Sequence, residues 1–103
     1  MENWTLLTSH AQALLAIAHD PGTRLRDIAA TLGVTERSAY AIVTDLTKAG
    51  YVTKRKDGRR NRYQIQAQLP LPGLASRHAT VGELLSLLTG RPEATERSWQ
   101  AAP

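Results

Sequence analysis

A mainly α fold carrying a β-hairpin wing, in the α+β class, is what three features of this 103-residue chain predict. From Leu32 to Val52 the sequence reads as a tight turn, a well-punctuated amphipathic helix and the start of a strand. Asp57-Gly58 then separates two strand-like runs, which signals a hairpin because its turn requires positive φ. Upstream lie two more amphipathic stretches, which supply the helices on which such a unit packs.

Residues 1–7 form an apolar-leaning arm whose Trp4, Leu6 and Leu7 are too hydrophobic for a free tail. A first helix is predicted over about residues 9–19. Ser9 and Gln12 have capping-box spacing, Leu7 is placed for a staple-like contact, and Ala11, Leu14, Leu15 and Ala18 make the inward stripe. Asp20-Pro21-Gly22 stops it. Thr23-Arg24-Leu25 is short enough to pair as a small strand, and residues 27–32 form the next helix, with Ile28, Ala29 and Leu32 inward. Ala29 is small enough to let two helices cross closely.

Gly33 supplies the positive φ of an interhelical turn, and Thr35 is a good N-cap for the following helix. Gly50 ends that helix as its C′ residue, with Lys48 in the last turn, where a cation suits the dipole. Ala39, Ile42, Val43 and Leu46 face the core, which leaves Glu36, Arg37, Tyr40, Ala41, Thr44, Thr47 and Lys48 outward. This short, mostly polar outer face suits a major groove. Strands over 51–56 and 60–66 follow, anchored by Val52, Tyr63 and Ile65.

Leu69-Pro70-Leu71-Pro72-Gly73 reads as an extended linker over 69–79. Thr80 and Glu83 form a capping box opening a short helix within residues 80–90, ended by Gly90 and Pro92. Val81, Leu84, Leu85, Leu87 and Leu88 cover more than one face, so this helix either covers the domain's open side or lies at a subunit interface, and its breadth of leucine favours the interface. Val81, Leu84, Leu85 and Leu88, with Trp4 and Leu6 of the arm, are the candidate dimerisation residues. The polar tail 91–103 is expected to lack order unless Trp99 docks.

Basicity is concentrated. Residues 54–62 hold six cations and one carboxylate, a local +5 in a chain of net charge +4, so the remainder carries −1. The absence of cysteine excludes thiol redox sensing, zinc–thiolate sites and disulfides. Neither a secretory signal nor an apolar run of membrane-spanning length is evident, so a cytoplasmic location is expected.

The order helix, helix, helix, hairpin over residues 8–68 is the winged helix-turn-helix layout, with a C-terminal dimerisation helix appended. Leu25-Arg26-Asp27-Ile28-Ala29, Leu32 to Arg37, Leu46 to Val52 and Gly58 to Tyr63 together resemble transcription regulators of the MarR/ArsR type, notably the small stand-alone forms of actinobacteria and archaea. The Ala49-Gly50-Tyr51-Val52 junction followed by a basic hairpin is the most diagnostic piece. The resemblance implies a homodimer on pseudo-palindromic promoter double-stranded DNA, with the recognition helix in the major groove and the wing on backbone or minor groove. Its base-contacting positions fall on Thr35, Glu36, Arg37, Tyr40, Ala41 and Thr44. Ala41 stands where many relatives carry a larger polar or basic residue. The long helices of full-length relatives have no counterpart, so no effector site is carried over.

Arg37 is either a bidentate guanine reader or a phosphate contact, or it is simply solvated. Glu36 either accepts from cytosine or caps the helix start, with capping the simpler role. Tyr40 contacts sugar-phosphate or a thymine methyl, or packs partly inward. Ser38 and Thr44 are phosphate or base-edge candidates. In the wing, Arg59 and Arg60 suit a narrow minor groove, while Lys54, Arg55, Lys56 and Arg62 suit backbone phosphates. His10, His19 and His78 share no metal-ligand spacing, and no nucleophile elbow, phosphate loop or catalytic carboxylate pair appears. No cofactor, metal or catalysis is expected. The reading is a homodimeric repressor. Its rivals are a winged protein-interaction module and an architectural DNA binder without sequence preference.

Overall fold

Ala13, Leu14 and Ile17 of the first helix, α1 (Ser9–His19), are the centre on which the rest of the chain packs. The computed structural model describes residues 5–90, so Trp4 and the tail 91–103 lie outside the described residues. After α1 come α2 (Leu25–Leu32), α3 (Glu36–Lys48), the antiparallel pair β1 (Val52–Asp57) and β2 (Arg60–Ile65), and α4 (Val81–Thr89). Helix α1 contacts α2, α3, α4 and β2, while α3 also touches β1. The result is the predicted helix-turn-helix with a wing. None of these helices is long and apolar enough to cross a membrane.

Helix α1 starts on a different cap from the expected one. The Ala11 N–H donates to Thr8 Oγ1 at 3.2 Å, and the Gln12 side-chain amide donates to the Leu7 carbonyl at 3.1 Å instead of closing a box with Ser9. Ser9 is therefore the first helical residue. The buried stripe is correspondingly rotated: Ala13, Leu14 and Ile17 are buried, whereas Ala11, Leu15 and Ala18 are half-buried flanks. Turning Ile17 inward removes more apolar surface from water than turning in Ala11 and Ala18 would.

The segment 23–25 is not a strand. One backbone hydrogen bond, from the Tyr63 N–H to the Pro21 carbonyl at 2.9 Å, ties the turn just before it to β2. Thereafter the N–H groups of Asp27 and Ile28 both donate to the Arg24 carbonyl at 2.9 Å, so the chain already turns into α2 at Leu25.

Helices α2 and α3 end alike. Gly33 (φ 73°) takes the left-handed conformation while the Val34 N–H reaches back to the Ala29 carbonyl and the Gly33 N–H to the Ala30 carbonyl. Gly50 (φ 88°) repeats this, with Tyr51 bonding to Leu46 and Gly50 to Thr47. Both are Schellman-type closures, which satisfy the last helical carbonyls where a Cβ would be strained. Thr35 caps α3 as predicted, its Oγ1 accepting from the Ser38 N–H at 3.0 Å.

The wing pairs one residue closer to its tip than expected. Asp57 faces Arg60, so the two-residue loop is Gly58-Arg59, and Gly58 (φ 69°) has the positive φ. Glycine at the first loop position is the pattern of a type II′ turn, which suits the twist of paired strands. At its base, Val52 and Tyr63 are buried and Ile65 is half-buried.

Residues 69–79 do not form an extended spacer. Pro70 bridges Thr80, the Leu71 N–H donates to the Ala79 carbonyl, and the Val81 N–H donates to the Leu69 carbonyl, both at 2.9 Å. The prolines remove donors only at 70 and 72, which leaves their neighbours free to close the loop. This closure returns α4 to the core beside α1. Thr80 and Glu83 make the predicted capping box, with the Thr80 N–H to Glu83 Oε1 distance at 2.7 Å. Two of the residues assigned to an interface are thereby corrected: Val81 and Leu85 are only 1% and 2% exposed and belong to the chain's own core. Leu84 is half-buried, while Leu6, Leu87 and Leu88 remain exposed.

Candidate nucleic-acid interface

The outward stripe of α3 is set by the burial of Ala39, Ile42, Val43 and Leu46 on its opposite side. At 100° per residue, Arg37, Tyr40, Ala41, Thr44 and Lys48 fall within one sector of the helix, opposite that apolar face. The Arg37-to-Lys48 rise is about 16 Å at the standard 1.5 Å per residue. Tyr40 is 58% exposed, so it projects from the stripe rather than packing inward, while Thr44 is half-buried. Small residues at 41 and 44 keep the stripe flat between Arg37 and Lys48, which lets the helix backbone approach base edges in a groove.

One candidate on this helix is already occupied. Thr35 Oγ1 accepts the capping bond and donates to Ser38 Oγ at 3.1 Å, which commits the Thr35 hydroxyl to the helix start and leaves the Ser38 O–H without an acceptor among the described residues. Glu36, for which capping was the simpler role, makes no cap, because Thr35 fills it. Its exposed carboxylate instead lies in the first turn, where the helix dipole favours a negative charge. Thr47 donates its hydroxyl proton to the Val43 carbonyl at 2.8 Å and so has no O–H left to donate outward.

Helix α3 is also held from behind. His10 Nε2 and Asp45 Oδ2 lie 2.9 Å apart, linking α1 to the recognition helix across 35 residues of sequence. His10 thus has an acidic neighbour that its sequence spacing concealed. Among the described residues no group of three metal-ligating side chains comes together.

In the wing, register decides which cations share a face. Arg55 lies directly opposite Arg62, and Lys54 opposite Tyr63, so Arg55 and Arg62 share the face turned away from buried Tyr63. Like charges directly opposite one another destabilise a hairpin. Asp57 lies opposite Arg60, on the same face as Arg55 and Arg62, but among the described residues no carboxylate comes within ion-pair distance of any of the six wing cations. Lys54, Arg55, Lys56, Arg59 and Arg62 have no side-chain hydrogen bond to other described residues, whereas Arg60 does: its Nη2 donates to the Gly22 carbonyl at 2.8 Å.

That bond places Arg60 beside an open cleft of about 310 Å³ between the wing and the α1–α2 turn. Thr23, Arg24 and Arg59 also line it, and buried Tyr63 forms part of its wall. Burial raises the Tyr63 phenol above the usual tyrosine range. Arg24 and Thr23 were not singled out from the sequence. An arginine in place of a hydroxyl or carboxylate at the start of α2 was the available signal.

A protruding polar helix and an adjacent unpaired cationic hairpin are thus positioned by one core. The model of the MarR family matches residues 4–62, running from the arm through α3 and most of the wing. No curated protein matches the chain. The match takes in more than half of the 103 residues and the whole helix-turn-helix, and the chain belongs to the MarR family of DNA-binding winged helix transcription regulators.

Proposed function

We propose that the protein is a sequence-specific repressor that binds pseudo-palindromic promoter DNA as a homodimer. The observation that carries this reading is the wing, where six cations outnumber the one carboxylate, Asp57, and none is ion-paired among the described residues, next to an exposed, flat recognition helix. A row of phosphates relieves the repulsion between Arg55 and Arg62, and base edges engage Arg37, Tyr40 and Thr44. Arg37 is the base reader in this account, because its guanidinium is exposed in the first turn of α3, where a bidentate fork meets guanine O6 and N7. Ala41 leaves room for that approach. Lys54, Arg55, Lys56 and Arg62 take backbone phosphates, and Arg59 at the turn enters the minor groove.

The dimer is built from the apolar side chains the core leaves uncovered: Leu87 and Leu88 on α4, half-buried Leu84, and Leu6 of the arm. Two-fold symmetry then spaces the recognition helices by about one DNA turn, roughly 34 Å. The dimer represses by occupying its promoter, in the cytoplasm, and neither a cofactor nor catalysis is part of this reading.

Equilibrium binding to duplex DNA across a salt series, with sedimentation of the free protein, tests this reading. The expected result is a dimer whose affinity falls steeply and linearly on a log–log plot, with a slope of about −0.9 per phosphate neutralised. Binding with no salt dependence, or none at all, contradicts it and favours a protein-interaction module.

A further inference from the structure

We propose that the cleft between the wing and the start of α2 is a seat for one DNA backbone phosphate, with Thr23, Arg24 and Arg60 as its ligands. The proposal rests on the DNA-binding reading and deepens it. Thr23 is only 9% exposed, yet its hydroxyl has no hydrogen-bond partner among the described residues. No polar side-chain atom there is both sealed from solvent and unsatisfied, so this hydroxyl meets solvent, and the solvent beside it is the cleft that Thr23 lines. A side chain held this way, nine-tenths buried with its hydroxyl open to the cleft, is placed to bond a ligand.

Three further observations give the ligand its charge. The first N–H groups of α2, at Leu25 and Arg26, have no acceptor among the described residues, since Arg24 supplies no side-chain cap and its carbonyl serves Asp27 and Ile28. These donors sit at the positive end of the helix dipole. Arg24 adds a full positive charge at that same end, which balances the Asp27 carboxylate of the first turn and leaves the helix dipole free to favour an anion. Finally, the bond to the Gly22 carbonyl fixes the Arg60 guanidinium at the cleft edge with its other donors unclaimed. Hydroxyl, backbone N–H groups and two guanidinium groups make a set of donors suited to a phosphate.

The source of the phosphate follows from position. The cleft lies where the wing meets the helix-turn-helix, and the proposed reading puts these two elements in neighbouring grooves. The strand that separates a minor from a major groove passes between them, and its phosphate is what such a cleft meets. Seating it fixes the register of both elements on the duplex without reading sequence. Arg60 is then a backbone ligand, and Arg59 alone is the minor-groove residue of the turn.

The test uses the full chain and a duplex to which it binds, each backbone phosphate being replaced in turn by a neutral methylphosphonate. One position per half-site is expected to weaken wild-type binding about tenfold and to leave Arg24→Gln indifferent. Thr23→Val, close to isosteric, is expected to weaken all duplexes alike by about tenfold, the scale of a hydrogen bond to a charged group. Arg24→Gln is expected to lower the salt slope by about one. A wild-type scan with no such position, or Thr23→Val and Arg24→Gln proteins that bind like wild type, overturns the phosphate seat while leaving DNA binding intact. Failure of the wild type to bind any duplex overturns the seat together with the functional reading.

Discussion

Arg37 and Tyr63 carry the clearest consequences at the scale of single residues. Arg37 is exposed in the first turn of α3. Replacing it with alanine is expected to relax preference at one base position, by about 1–3 kcal/mol of discrimination, in competition binding against single-base variants of the bound sequence. Equal weakening on every duplex would instead make it a phosphate contact. Tyr63 is buried, and burial raises its phenol above the ordinary value. The unfolded chain therefore loses that proton first as pH rises, and folding stability falls from about pH 10 upward. Denaturant unfolding measured across that range should show this alkaline loss in the wild type, and Tyr63→Phe should lack that component. Both residues were legible in the sequence, one as an outward polar position and one as a wing anchor. The His10–Asp45 link and the Thr23–Arg24 pair were not, because each depends on elements far apart in sequence or on a cleft that only packing creates.

Helices and turns were easiest to read where a local rule acts alone. The Thr35 and Thr80 caps and the Gly33 and Gly50 stops formed as the residue types demand. Local rules failed where neighbours competed: Thr8 took the cap expected of Ser9, and Ile17 drew the α1 stripe a notch round. The wing shows the same limit, since Asp-Gly announces a turn but pairing energy chose Gly58-Arg59 as its loop. That loop is a point of attack. Gly58 has φ 69° and no atom near its missing Cβ, so valine there meets backbone strain without a clash. Forcing a β-branched residue into that conformation costs about 1–2 kcal/mol, most of it falling on the hairpin. Gly58→Val is expected to leave the helical circular dichroism near wild type while DNA binding drops by at least tenfold. A variant that binds normally would remove the wing from the interface.

At the scale of the whole molecule, α4 is where the sequence left two readings open and favoured the interface. The closed loop over 69–79 folds it back, Val81 and Leu85 complete the core against α1, and Leu87 and Leu88 stay exposed. A linear sequence does not show that the prolines at 70 and 72 leave enough donors to close that loop. Leu85→Ala is expected to destabilise the fold by about 2–5 kcal/mol, with that loss independent of protein concentration in denaturant melts. Leu87→Ser with Leu88→Ser, on the exposed side, should leave the monomer's stability nearly unchanged and shift sedimentation towards monomer. The opposite pattern would put the subunit interface back on the buried face.

A dimer that reads sequence through α3 while the wing holds the backbone has a direct signature in fragments selected from a random duplex pool at about 0.15 M salt, where distant surface charges are already screened. The bound fragments are expected to share an inverted repeat whose half-sites lie about one helical turn apart. Fragments retained without any shared motif would contradict sequence reading and leave an architectural binder, and an empty pool would contradict DNA binding itself.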